Sequence, residues 1–197
     1  MRPSVAEGGE IEVCALVPPR VRRSALSFHN GHYRALRLGP IARTVPLRLE
    51  SMLKGTLLHP QIAAALTRAG HGSRVLVADG NFPHSTRRGP NAEVAFLNLS
   101  PGVITCTDAL AVLVASVPLE SATAMAPDRS GPYAMAEDPP IWEEFRDLLG
   151  RERDGLELEP IERFAFYEAA IQPDVALTIA TADQRLFANL LLTIGVV

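Results

Sequence analysis

The 197-residue sequence lacks an apolar run long enough to cross a lipid bilayer. Its longest such run, Ala109–Val117, has nine residues, whereas a transmembrane helix needs about 20. The N-terminus also lacks the basic segment and apolar stretch that form a secretory signal. We therefore expect a cytoplasmic protein that has no membrane segment.

Cysteine is scarce, and the motifs of several enzyme classes are missing. Cys14 and Cys106 form neither a C-x-x-C pair nor a disulfide framework, and no carboxylate or cysteine accompanies His29 and His32 as a further metal ligand. The glycine-rich nucleotide-binding loops and the G-x-S-x-G nucleophile elbow are also absent. The sequence predicts no metal site and no cofactor.

Charge is unevenly distributed along the chain. Residues 1–51 carry eight arginines against four glutamates, whereas residues 52–197 carry eleven basic against eighteen acidic side chains. An acidic main part of the chain argues against a nucleic-acid partner, because such partners are bound by basic surfaces.

The first 51 residues differ from the rest in composition. They contain paired prolines and scattered arginines, without sustained helical or strand periodicity. We expect residues 1–51 to form a poorly ordered extension and residues 52–197 to form one domain. An initiation codon assigned upstream of Met52 is an open alternative, because Met52 begins a segment typical of the start of a domain.

Helix and strand patterns alternate in the second part of the chain. Helices are predicted at 59–69, 107–117, 138–150 and 161–170, the first ended by Gly70, the second capped by Thr107 or Asp108 and the third by Asp138. Strands are predicted at 74–79, 93–99, 120–127, 175–181 and 187–194. The alternation favours an α/β fold, and we expect a three-layer α/β/α architecture with a central mixed sheet of about six strands.

Three separated segments together carry a family likeness: "GHGSRVLVADGNFP" at 70–83, "RFAFYEAA" at 163–170 and "FANLLLTIGV" at 187–196. They resemble the L-fucose mutarotase and D-ribose pyranase family over 52–197, and "RFAFYE" is closer to the fucose branch. The resemblance implies a cofactor-independent mutarotase, an isomerase that interconverts the α and β anomers of a monosaccharide, with L-fucose as the expected substrate. It also implies a homo-oligomer, a ring-shaped decamer with sites near subunit contacts.

The resemblance assigns roles to five residues. His71 falls on the family's catalytic acid/base, and Asp79, Arg163 and Asn189 fall on sugar-contacting positions. Phe187 stands where the family has a tyrosine, so the phenolic hydroxyl is absent and Phe187 is expected only as a wall of the sugar pocket.

These residue types suit the chemistry of anomer exchange. Ring opening requires one proton at the ring oxygen and the removal of another from the anomeric hydroxyl, and histidine exchanges protons near neutral pH because its ordinary pKa is about 6.5. An ionised aspartate accepts hydrogen bonds from hydroxyls, arginine donates them, and an asparagine amide does both. Phe82 and Tyr167 are further candidates to pack against the apolar faces of a sugar.

Structural roles are the alternatives for the same residues. His71 follows a helix end and could donate to its last carbonyls, Asp79 precedes Gly80 as many turn residues do, and Arg163 could be a solvated charge. His84 is interpreted as a loop histidine. Asn189 is the most informative of the polar residues, because a buried amide needs hydrogen-bond partners.

The spacing of His71 and Asp79 raises a further question. Eight extended residues span about 26 Å, which exceeds the size of a monosaccharide. Either the flanking glycines fold the two ends together, or neighbouring subunits share the site. A sugar-binding or regulatory subunit without turnover is the alternative function, and an α/β oligomer with an unrelated role is the third.

Overall fold

The computed structural model describes residues 55–132, 134–151 and 155–197. The predicted extension at 1–51 lies outside the described residues. The described part contains four helices and six strands. Their order is α1 (Pro60–Arg68), β1 (Arg74–Ala78), β2 (Glu93–Phe96), α2 (Cys106–Val114), β3 (Leu119–Ala126), α3 (Ile141–Leu149), β4 (Leu158–Glu162), α4 (Arg163–Ala170), β5 (Val175–Ala180) and β6 (Leu190–Ile194).

The six strands form one sheet in the order β2-β5-β1-β6-β3-β4. Strand β6 is antiparallel to β1 and β3, whereas the other pairs are parallel. Strands β1 to β5 therefore end at the same side of the sheet, where β6 begins. We call this side the carboxyl edge and the opposite side the amino edge.

Helices cover both faces of the sheet. On one face α1, α2 and α3 bury Ile62, Leu110, Trp142 and Phe145 against the strands, and each large side chain contributes about 1.5–3 kcal/mol by leaving water. On the other face Phe166 of α4 packs in a smaller cluster. The predicted three-layer α/β/α class with a mixed six-stranded sheet is confirmed.

Two predicted helix caps are wrong. The side chain of Thr105 caps α2, and Asp108 completes a capping box by accepting from the Thr105 backbone N–H. Asp138 does not cap α3, because its two carboxylate oxygens accept from Arg129 and Arg146.

The predicted glycine cap of the first helix is also wrong. Helix α1 ends at an extended Ala69, and Gly70 does not have the positive φ of a glycine cap. Gly72, at φ 78°, is the residue of this turn with left-handed backbone.

The other differences concern strands. Strand β4 was not predicted, because its sequence LEPIE contains two glutamates and a proline. The proline is tolerated because β4 lies at the edge of the sheet. Consequently α4 begins at Arg163, and the predicted helical residues before it belong to β4. Strand β6 begins at Leu190 rather than at Phe187, whose φ of 59° is incompatible with a strand.

Candidate functional site

Asp79 and Asn189 form a buried pair at the carboxyl edge, where β1 ends and β6 begins. The backbone N–H of Asp79 donates to Asn189 Oδ1 at 3.0 Å, and Asn189 Nδ2 donates to Asp79 Oδ2 at 2.8 Å. Each residue is only 4% exposed. The buried Asn189 amide therefore has the partners that its burial demands.

The carboxylate of Asp79 is held in an environment that disfavours its charge. Burial raises the pKa of Asp79 above its ordinary value, and hydrogen bonds from the Asn81 N–H and the Asn189 side chain offset only part of that effect. Asp79 Oδ1 accepts from Asn81 N–H at 2.9 Å. Because a carboxylate offers about four acceptor positions, these hydrogen bonds leave some of the lone pairs of Asp79 unused.

The turn after Asp79 is in close contact with the loop that precedes Asn189. The Gly80 N–H donates to the Asp183 carbonyl at 2.9 Å. A Cβ at Gly80 would meet that oxygen at 3.2 Å and Gln184 Nε2 at 3.0 Å. Glycine at position 80 thus lets the loop approach closely, because a Cβ there would crowd the Asp183 carbonyl and the Gln184 amide.

Arg163 lies at the same carboxyl edge, as the first residue of α4 after β4. Its guanidinium stands 3.7 Å from Asp128 and stacks over the ring of Phe164 at 4.9 Å. Strand β4 is three positions from β1 in the sheet, a separation of about 14 Å at the usual strand spacing. Arg163 therefore lies at the same edge as the Asp79–Asn189 pair but does not contact that pair directly.

An aromatic cluster covers the α4 face beside Asp79. The rings of Phe82 and Tyr167 have centroids 5.7 Å apart, and Phe187 packs against the same group. Phe187 adopts a left-handed backbone with φ 59°, which bulky residues rarely adopt. Its carbonyl accepts a hydrogen bond from Trp142 Nε1 at 3.3 Å.

His84 belongs to this cluster as well. Its ring lies 5.6 Å from that of Phe82, and both ring nitrogens are buried without a hydrogen-bond partner among the described residues. Burial lowers the pKa of His84 below its ordinary value. Burial therefore favours the neutral over the protonated imidazole of His84.

His71 lies at the opposite, amino edge, in the turn between α1 and β1. Its Nε2 contacts Glu120 Oε2 at 2.7 Å, and both side chains are largely exposed, at 58% and 42%. The adjacent Gly72 N–H donates to the carbonyl of Ile194, at the end of β6. His71 and Glu120 thus form an accessible imidazole–carboxylate pair.

The five predicted site residues are divided between the two edges of the sheet. Asp79, Arg163, Phe187 and Asn189 lie at the carboxyl edge, whereas His71 lies at the amino edge. Strand β1 alone separates the two groups by about 15 Å. One subunit therefore does not bring His71 and Asp79 to the same monosaccharide.

Glu120 is a candidate that sequence reasoning missed. It lies 49 residues after His71 in a segment predicted as an ordinary strand, so no local pattern connects the two. Only the antiparallel pairing of β3 with β6, next to β1, places Glu120 beside the turn that carries His71.

No group of three or more His, Cys, Asp or Glu side chains within the described ranges could hold a metal ion. A cavity of about 260 Å³ lies among α1, α2 and the sheet. Its lining is almost entirely apolar and includes Leu57, Ile62, Leu113 and Ile179. None of the five predicted site residues lines this cavity, which offers little to bind sugar hydroxyls.

Within the described ranges, no helix has the length and apolar character needed to cross a membrane.

A model of the family described as "RbsD / FucU transport protein family" matches residues 52–197. A fucose mutarotase of Homo sapiens is 34% identical over 149 residues, covering 73% of this chain and 94% of the relative. A fucose mutarotase of Danio rerio is 30% identical over 154 residues, covering 74% and 95%.

The fold has solved counterparts. The crystal structure of FucU from Bifidobacterium longum superimposes with a TM-score of 0.59 and 31% identity. The similarity covers 71% of this chain and 94% of that structure. Nearly the whole of each relative is therefore matched by about three quarters of this chain.

Proposed function

This chain belongs to the RbsD/FucU family, and on that premise we propose that it is a monosaccharide mutarotase acting on L-fucose or a closely similar sugar. The reaction interconverts the α and β anomers without a cofactor. The relatives named fucose mutarotase support both the isomerase activity and the substrate class.

The Asp79–Asn189 pair is the observation that carries the proposal. Both side chains are polar, buried and held in one orientation at the edge of the sheet. Ligands of open α/β sheets characteristically bind beyond the carboxyl ends of the strands. The pair offers acceptors to sugar hydroxyls, and the ring of Phe187, with Phe82 and Tyr167, offers an apolar wall for the C–H faces.

His71 performs the proton transfers in this proposal. The C1–O5 bond breaks as the anomeric hydroxyl loses its proton and O5 gains one. After rotation about C1–C2, closure reverses the two transfers. Glu120 orients the imidazole through Nε2, which leaves Nδ1 to face the sugar. A positioned acid/base of this kind contributes about 10²–10⁴ in rate.

We further propose that two neighbouring copies complete each site. One copy supplies His71 and Glu120 from its amino edge, and the other supplies Asp79, Asn189, Phe187 and Arg163 from its carboxyl edge. The separation of the two edges within one chain supports this arrangement. In a closed ring the amino edge of each copy can meet the carboxyl edge of the next, because head-to-tail contacts repeat one interface around the assembly. A homodecamer is the expected form.

Saturation-transfer NMR on the α and β anomeric protons of fucose, galactose and ribose tests the activity. We expect faster exchange for L-fucose in the presence of the full chain. Calorimetric binding without any acceleration would favour the alternative, a sugar-binding or regulatory subunit. If no sugar of the panel binds and none exchanges faster, the proposed function is wrong.

The domain boundary at residue 52 and the cytoplasmic location stay predictions.

A further inference from the structure

The loop 183–189, which we call the closing loop, contacts the end of β1 from both of its ends, at Gly80 and at Asp79. At its start the Asp183 carbonyl accepts from the Gly80 N–H at 2.9 Å, and at its end Asn189 binds Asp79 through both the backbone and the side chain. The position of the Asp79 carboxylate therefore depends on where the closing loop lies.

Arg185 fastens this loop to two helices. Its guanidinium donates to Asp183 Oδ2 at 2.7 Å, to both oxygens of Glu144 on α3 at 2.8 Å, and to the Thr107 hydroxyl on α2 at 2.9 Å. The Thr107 hydroxyl in turn donates to Glu144 Oε2 at 2.8 Å. A planar guanidinium with five donors matches such a set of acceptors, whereas an ammonium group cannot satisfy it fully.

Asp183 makes the guanidinium necessary. Its side chain is only 1% exposed, and burial alone would raise the pKa of Asp183. The hydrogen bonds from Arg185, together with the N–H of Cys106 at the start of α2, outweigh burial and hold the pKa of Asp183 below its ordinary value. Without Arg185, the loop would carry a buried carboxylate that lacks its main partner.

The middle of the closing loop has a third attachment. Phe187 keeps a left-handed backbone, and Trp142 Nε1 of α3 donates to its carbonyl. A bulky residue holds such a backbone only where its surroundings impose it. Helix α3 thus supports the loop at two points, Glu144 and Trp142.

We propose that Arg185 is a positioning residue for sugar binding: by fastening the closing loop to α2 and α3, it holds Asn189, and through it Asp79, in the orientation that receives the sugar. The inference rests on the proposed function. Arg185 itself does not touch the substrate, so its removal weakens binding while the proton transfer at His71 is preserved.

The test compares Arg185→Met and Arg185→Lys with the wild type. A matched control is Arg151→Met, at an exposed arginine just beyond α3. For Arg185→Met we expect KM for L-fucose to rise about tenfold with kcat within about twofold. The KM of Arg185→Lys should lie between those of the wild type and Arg185→Met, because lysine can reach one carboxylate but not the full set of acceptors. A wild-type KM in Arg185→Met, or an equal loss in the Arg151→Met control, overturns the proposal.

Amide hydrogen exchange of the sugar-free protein provides a second readout. The N–H groups of Asp79 and Gly80 should lose protection about tenfold or more in Arg185→Met, while that of Gly72, bonded to Ile194 at the other edge, stays as in the wild type. Unchanged protection at Asp79 and Gly80 overturns the positioning role. If the wild type fails to accelerate anomer exchange, the proposed function is wrong. The amide hydrogen-exchange data still decide whether Arg185 holds the closing loop.

Should Arg185→Met fail to fold, Glu144→Gln is the milder variant. It keeps the Asp183–Arg185 contact but removes the negative charge of Glu144, which faces Arg185. We expect a smaller rise in KM and a smaller loss of protection at the same two amides. If both KM and amide protection stay as in the wild type, the proposal is wrong.

Discussion

Asn189 binds Asp79 at two points, accepting from its backbone N–H at 3.0 Å and donating to its carboxylate at 2.8 Å. One side chain thereby fixes both the main chain and the carboxylate at the end of β1. Since both residues are buried, neither bond can be replaced freely by water. The pair links the stability of the carboxyl edge to its capacity to bind a sugar.

Asn189→Ala should therefore affect stability and binding together. It leaves a buried N–H and a buried carboxylate short of a partner, which costs about 1–3 kcal/mol in the free energy of unfolding. Denaturant unfolding measures this loss, and calorimetry should show weaker L-fucose binding. Asn91→Ala is the control, because the exposed Asn91 donates to the Pro173 carbonyl and its removal should cost much less. Equal losses in the two variants would argue against a special role for the pair.

Glu120→Gln should lower kcat with little change in KM. The carboxylate orients the His71 ring through a 2.7 Å contact, and an orienting carboxylate beside a catalytic histidine contributes at least about tenfold to the rate. Anomer-exchange rates at saturating sugar measure the effect. Glu159→Gln, an exposed glutamate on β4, is the control and should retain the wild-type rate. If Glu120→Gln keeps that rate too, Glu120 does not assist His71.

A site shared between copies predicts complementation. In mixed oligomers of His71→Ala and Asp79→Asn chains, a site is intact when its amino edge comes from an Asp79→Asn chain and its carboxyl edge from a His71→Ala chain. Random assembly of equal amounts in a closed ring gives this combination at about a quarter of the sites. Co-expressed chains should regain that share of activity. Mixtures of Asp79→Asn with Asn189→Ala damage the same half and should regain none. Failure of the first mixture to exceed the second contradicts the shared site.

His84 predicts a pH dependence of stability. Burial lowers the folded-state pKa of His84, so below the unfolded-state value of about 6.5 the unfolded chain binds more protons than the folded one. Stability contributed by neutral His84 is thus present above about pH 6.5 and is lost as the pH falls toward the lower folded-state value. His84→Gln should flatten this loss between about pH 7.5 and 5.5, as measured by denaturant midpoints. Thr86→Ala, in the same loop, should keep the wild-type slope, and a wild-type slope in His84→Gln would exclude the effect.

Much of the fold could be predicted from the sequence because alternating helix and strand patterns are local. The strands around Leu76 and Ile179 are short apolar runs, which are typical of strands buried on both faces. Strand β4 escaped prediction because its proline and glutamates suit only an edge position, and edge position is a property of the assembled sheet. Phe187 departs from the predicted strand because tertiary contacts impose its left-handed backbone, and no local pattern encodes those contacts.

Part of the geometry of the candidate site can be expected from the sequence. Asp79 and Asn189, which the family resemblance names, flank apolar strands, and they meet at one edge because β1 and β6 run in opposite directions. The pairing of His71 with Glu120 depends on how β3 meets β6, which no local pattern encodes. The Arg185 contacts join three elements from distant parts of the chain and were missed for the same reason.

The most direct test of the account is the rate of α/β exchange of L-fucose, measured by exchange NMR with the wild type and with His71→Ala at equal concentration. We expect a clear acceleration by the wild type and a loss of about 10²–10⁴ in the catalysed rate for His71→Ala, with the variant still folded and still binding sugar. An acceleration by His71→Ala equal to that of the wild type would contradict it.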